Sequence, residues 1–131
     1  MRIRTLLVAL AALAALVLAG CGNGEPVADD GDDGDVVEAD GVVEVDVSMQ
    51  DIEFVPDTVE VPAGSQVVFN LTNDGNLEHD LMFDDGTDSG VVPAGGSATL
   101  EAGPFTSDTV GWCDIPGHRE AGMELEVLVT D

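Results

Sequence analysis

Val43, Val45 and Val47 alternate with Glu44, Asp46 and Ser48, and Val59 and Val61 flank Glu60. Near the end of the chain, Leu125, Val127 and Val129 continue the parity of Met123. A period of two, rich in valine, turns one face of a segment to a core and the other to water, so these stretches read as half-buried strands. Turn chemistry separates them at Pro62-Ala63-Gly64-Ser65, Asn73-Asp74-Gly75-Asn76 and Pro93-Ala94-Gly95-Gly96. Residues 42–131 carry no amphipathic helical stretch. The pattern predicts an all-β domain of seven or eight short strands, a β-sandwich or barrel of Greek-key type. Phe54, Phe69, Phe83 and Phe105 are the large candidates for its core.

Ahead of this domain the texture differs. Arg2 and Arg4 precede an unbroken apolar run over residues 6–19. The run is too short to span a bilayer and suits the apolar region of a secretory signal. It closes with Leu18-Ala19-Gly20-Cys21, which resembles a bacterial lipobox, so Cys21 is expected to carry the lipid and become the new N-terminus. Two or more acyl chains would then hold the protein on the extracytoplasmic face of the cell membrane. Residues 22–41 are rich in glycine and aspartate and poor in apolar side chains, which predicts a disordered tether. The expected organisation is a signal over 1–20, a tether over 21–41 and a folded domain over 42–131.

Charge narrows the partners. All 27 acidic residues follow Cys21, and Arg119 is the only cation beyond it. Nucleic acid and anionic lipid headgroups would be repelled by such a surface. The excess fits a saline habitat, where salt shortens the range of self-repulsion, or a basic protein partner. With Cys21 lipidated, Cys113 is the only thiol and no internal disulfide can form. A lone cysteine outside the cytoplasm needs protection from oxidation, and metal ligation provides it.

The segment Trp112-Cys113-Asp114-Ile115-Pro116-Gly117-His118-Arg119-Glu120-Ala121-Gly122-Met123 carries the chemistry. Cysteine, histidine and methionine recur there at intervals of five, and Pro116, Gly117 and Gly122 make the segment a loop. A thiolate, an imidazole and a thioether together suit copper in both its oxidation states. A two-histidine site needs one more imidazole, and His79 is the only other histidine. Taken singly, Cys113 reads as a small buried hydrophobe and Met123 as a core residue. Taken together, His79, Cys113, His118 and Met123 form a copper ligand set.

These residues resemble the cupredoxins, the blue-copper group that includes plastocyanin, azurin, rusticyanin and sulfocyanin. The first half of the match runs through Ile52-Glu53-Phe54-Val55-Pro56, Val59-Glu60-Val61-Pro62-Ala63-Gly64, Val67-Val68-Phe69 and Glu78-His79-Asp80-Leu81. The second is the loop from Cys113 to Met123, with four residues between successive ligands. The resemblance implies one copper ion, with His79, Cys113 and His118 around it and Met123 as a long axial ligand. It implies an electron carrier and no enzymatic activity. It also makes His118 the exposed ligand, ringed by apolar residues, with Ile115, Pro116, Gly117 and Arg119 as candidate docking positions for a transient redox partner such as a cytochrome, an oxidase or a reductase. A monomer is expected.

Two positions depart from the pattern. The family often has asparagine after the first histidine, bracing the loop beside the cysteine; here the pair is Asp80 and Asp114, whose carboxylates would repel. Many members carry an aromatic two residues before the cysteine, where this chain has Gly111 and an adjacent Trp112. Arg119 is read either as an ion-pair partner of Glu120 or a nearby aspartate, or as a guide for a partner's carboxylate. The competing function is an extracytoplasmic copper carrier or chaperone. Copper enzymes with additional histidine-rich sites are excluded within one chain, because its two histidines are already used.

Overall fold

The computed structural model describes residues 36–39 and 41–131. The apolar run, Cys21 and most of the acidic segment lie outside the described residues. Eight strands are found among the described residues: β1 (Val36–Ala39), β2 (Val42–Gln50), β3 (Glu53–Val55), β4 (Thr58–Pro62), β5 (Ser65–Asn73), β6 (Ser97–Phe105), β7 (Thr109–Trp112) and β8 (Glu124–Thr130). No helix occurs among the described residues. The three turn clusters picked out by composition fall at the β4–β5 connection, the end of β5 and the approach to β6.

The strands form two mixed sheets. One has the order β1-β2-β5-β6, with β3 also paired to β2; the other has the order β4-β8-β7. β2 and β5 run parallel, with Val45 opposite Phe69 and Val47 opposite Leu71. β4 and β8 are also parallel, with Val59 opposite Val127. A parallel pair cannot be closed by a tight hairpin. Between β2 and β5 the chain therefore crosses to the second sheet, lays down β4 and returns, as a Greek-key sandwich requires.

Alternation decides which side chains meet between the sheets. Val43, Val45, Val47 and Met49 of β2 and Val67, Phe69 and Leu71 of β5 are buried, as are Val59 and Val61 of β4 and Leu125 and Val127 of β8. The intervening Glu44, Asp46, Glu60 and Glu126 face solvent. Phe69 anchors an aromatic cluster, with ring centroids 5.7 Å from Phe83 and 6.5 Å from Phe105. Each such side chain removed from water contributes about 1.5–3 kcal/mol. All four phenylalanines expected in the core are there.

The structure corrects one boundary. Val36–Ala39, expected to belong to the tether, forms β1 and pairs antiparallel with β2 from Val36↔Val45 to Ala39↔Val42. In the sequence Asp-Gly follows Ala39, and that pair is among the strongest short hairpin signals. Ordered structure therefore begins ahead of residue 42.

Candidate metal centre

His79, Cys113 and His118 arrive from two loops. Beyond β5, His79 exchanges backbone hydrogen bonds with Val92, its N–H donating to the Val92 carbonyl at 3.1 Å and its carbonyl accepting the Val92 N–H at 2.6 Å. The loop carrying it is stapled by Asn73, a fully buried residue at the end of β5. The Asn73 amide donates to the carbonyls of Leu77 and Val92 at 2.8 and 2.9 Å, while its oxygen accepts from the Gly75 N–H at 3.0 Å. Sequence reading missed this role, although Asn-Asp-Gly is the composition of a turn closed by an asparagine side chain. Further on, Met82 exchanges two hydrogen bonds of 2.9 Å with Trp112, which lays the segment after His79 beside the end of β7.

The second loop joins β7 to β8. Its ends are tied together, the Cys113 N–H donating to the Met123 carbonyl at 3.1 Å and the Met123 N–H to the His118 carbonyl at 3.0 Å. Between them the chain makes tight turns, with the His118 N–H on Ile115 and the Gly122 N–H on Arg119. Gly117 and Gly122 take φ of +88° and +102°, values that side chains with a Cβ rarely adopt, so the loop needs glycine there. Met123 is fully buried and lies directly ahead of β8.

At the convergence of these loops, His79 Nδ1 lies 3.2 Å from His118 Nδ1. Cys113 Sγ is 3.4 Å from His118 Nδ1 and 3.9 Å from His79 Nδ1. Three atoms at these separations share a point about 2 Å from each, the length of a metal–imidazole bond and slightly less than a metal–thiolate bond. Among the described residues no other group of three or more His, Cys, Asp or Glu side chains is arranged to hold a metal. His79 and Cys113 have no exposure, whereas His118 retains 9%. His118 is therefore the donor with an edge toward solvent, though a narrow one. The donor chemistry fits a soft transition metal: two imidazole nitrogens and one sulfur face one another in a buried cluster.

The electrostatics agree. Burial, then the neighbouring His118, lowers the His79 pKa, opposed by Asp80 and Asp51. His79 is thus held neutral, the form in which imidazole binds a metal. Burial pushes the Cys113 thiol up to about 11, against the opposing pull of the Asp80 and Ile115 backbone N–H groups. Without a cation the thiol keeps its proton; a metal must displace it. Those two N–H groups then remain as donors to the sulfur.

The surroundings resolve both departures. The Asp80 and Asp114 carboxylates are not partners. Asp80 Oδ1 instead accepts from the Asp114 backbone N–H at 2.6 Å, and the Asp114 side chain turns toward Trp112 Nε1 at 3.4 Å. The brace exists, made between a carboxylate and the backbone. At Gly111, a Cβ would lie 2.7 Å from Leu81 Cδ1 and 2.9 Å from Phe83 Cε1. The ring of Phe83 thus reaches the space beside β7, so the missing aromatic is supplied from another segment. Arg119 pairs with Glu124, at 3.1 Å, and not with Glu120 or an aspartate.

Comparison with known proteins bears on the family and the fold. The family model described as a cupredoxin-like domain matches residues 7–109. That match ends before Cys113. No curated protein matches the chain. Among solved structures, auracyanin B is similar with a TM-score of 0.62 and 19% identity, over 76% of this chain and 97% of that one. Auracyanin A, a "blue" copper protein from Chloroflexus aurantiacus, gives a TM-score of 0.60 and 14% identity over 69% of this chain and 100% of that one. The metal-binding domain of the Cu(I)-exporting P-type ATPase CopA of Streptococcus pneumoniae D39 gives 0.55 and 9% identity over 73% and 93%.

Proposed function

The chain belongs to the cupredoxin-like family, and from that premise we propose that it is a type 1 copper protein that carries single electrons between extracytoplasmic redox partners. The observation that carries this reading is the meeting of two imidazole nitrogens and one thiol sulfur within 3.2–3.9 Å among buried side chains. His79, Cys113 and His118 would hold the ion, and Met123, buried at the close of the same loop, supplies the fourth donor. Bound copper supplies a one-electron couple.

The protein's part is to keep the donors still. His79 is fixed by its exchange with Val92, and Cys113 and Met123 are fixed to each other through their backbones. A site held by hydrogen bonds outside the donor set has little to rearrange when an electron arrives, and small rearrangement makes transfer fast. The solvent-facing edge of His118 is the route to a partner. Around it Pro116 and Gly117 are exposed and Ile115 is half-buried, an apolar rim that suits brief docking of a redox protein. Copper enzymes of related architecture use further histidines; both histidines of this chain are already committed. The proposal includes a lipid on Cys21 and residence on the extracytoplasmic face of the membrane, with residues 22–35 as the spacer.

The test is to load the purified mature chain with cupric ion and record its visible spectrum. An intense thiolate-to-copper charge-transfer band that disappears in Cys113→Ser supports the proposal, and a colourless copper-loaded protein refutes it. The likeness to a copper exporter's domain supports a second reading, a copper carrier. The two separate on exchange: an electron carrier gives reversible voltammetry and yields its copper slowly to a chelator, whereas a carrier hands it over rapidly.

A further inference from the structure

Arg119 is the one lysine or arginine after Cys21, yet its charge is not offered to solvent alone. Its guanidinium carbon lies 4.0 Å above the centroid of the Trp112 ring, and its Nε donates to Glu124 Oε1 at 3.1 Å. Trp112 and Glu124 face each other as the last pair of β7 and the first of β8. The three residues are thus the immediate chain neighbours of three of the four donors: Trp112 precedes Cys113, Arg119 follows His118 and Glu124 follows Met123. One side chain reaches back from the tip of the ligand loop and grips both ends of its base.

We infer that Arg119 is a positioning residue that clamps the ligand loop shut, and that its charge does not serve to dock a partner. The chemistry of the contact requires arginine. A guanidinium is planar and lies flat on an indole while still offering an in-plane N–H to a carboxylate; an ammonium cannot do both. The clamp also explains why Trp112 is only 8% exposed at the end of a strand near the surface, since the guanidinium covers it. The ion pair is about half exposed and contributes little alone, so its loss leaves a folded protein with a looser loop. The inference rests on the proposed copper site for its consequence, but the clamp itself is a property of the chain.

Trp112 is the only tryptophan, which gives a direct readout. The full mature chain, metal-free and cuprous-loaded, is titrated with acrylamide, a neutral quencher indifferent to the acidic surface. Losing a stacked cation shifts a closed-to-open balance by about two- to fivefold, so Arg119→Ala should raise the Trp112 quenching constant by at least about twofold and red-shift its emission. Arg119→Lys, which keeps the charge and loses the plane, should move the same way. In the copper-loaded Arg119→Ala protein the visible band should stay in place, while copper passes to a chelator about two- to fivefold faster. Unchanged quenching in Arg119→Ala overturns the clamp. So does Arg119→Lys that matches the wild type, which would make charge the active property. If the wild type binds no copper, the proposed function fails while the quenching series still decides the role of Arg119.

Discussion

The carboxylate of Asp80 accepts the backbone N–H of Asp114 at 2.6 Å and so ties the first histidine's neighbour to the cysteine's neighbour. This hydrogen bond links the two loops that carry His79 and Cys113. It is charge-assisted and nearly buried, with Asp80 only 6% exposed, which places it in the stronger class of such bonds. Its acceptor also brings a negative charge close to the thiol.

Replacing Asp80 therefore separates brace from charge. Asp80→Asn keeps an oxygen that can accept from Asp114, so the copper-loaded protein should keep its colour. Its potential should rise by on the order of tens of millivolts, because a removed anion no longer favours the more positive oxidation state. Asp80→Ala removes the acceptor and leaves an N–H without its partner, which costs about 1–3 kcal/mol. Voltammetry and urea denaturation measure the two effects. A potential that falls in Asp80→Asn would show that the charge does not act on the site.

The Cys113 thiol predicts how the metal-free protein answers to pH. Its pKa is about 11 in the folded chain, against an ordinary value of 9.0. The raised value means that the folded state holds its proton after the unfolded state has lost it. The contribution is fully present below pH 9, declines as pH rises and is gone above 11; it amounts to roughly 3 kcal/mol at most. Urea melts between pH 8 and 11, with Cys113→Ser as the flat control, measure it. At neutral pH, copper uptake should release about one proton per ion, because the metal takes the thiol as thiolate. A pH-stat titration with no proton released would contradict thiolate ligation.

Much of this was legible beforehand because short-range patterns decide it. Valine alternation marked β2, β4 and β8, and the donors were identifiable as the chain's two histidines and its one thiol beyond Cys21. What escaped reading depends on contacts distant in sequence. Nothing near Asp80 says that its carboxylate meets a backbone N–H thirty-four residues away rather than a side chain. The Phe83 ring over Gly111 is likewise a compensation across two segments, visible only once the segments are adjacent. β1 was lost for another reason: acidic and glycine-rich composition around Val36–Ala39 outweighed the local Asp-Gly hairpin signal.

Gly111 gives a stability prediction. In Gly111→Ala the new methyl meets Leu81 and Phe83, both buried and unable to swing into solvent. Overpacking of this kind costs about 1–3 kcal/mol. The denaturation midpoint should fall accordingly, with little change in slope. Trimming the obstructing ring should relieve the clash, so Gly111→Ala combined with Phe83→Leu should lose less than the sum of the two single changes. Strict additivity would mean that the ring does not fill the space beside β7.

Met123 is the proposed fourth donor, and substitution can isolate its role. Its backbone closes the loop through Cys113 and His118, so a change of side chain leaves that closure intact. Met123→Leu is close to volume-conserving and should cost less than about 1.5 kcal/mol in stability. The thiolate and both imidazoles remain, so the visible band should survive. The potential should rise by on the order of 60 mV or more, a tenfold shift in the one-electron equilibrium, because a hydrocarbon replaces a sulfur that helps to stabilise the higher charge. Voltammetry on the two copper-loaded proteins decides it. Equal potentials would return Met123 to the buried row of Leu125 and Val127, whose parity it shares, and leave a three-donor site.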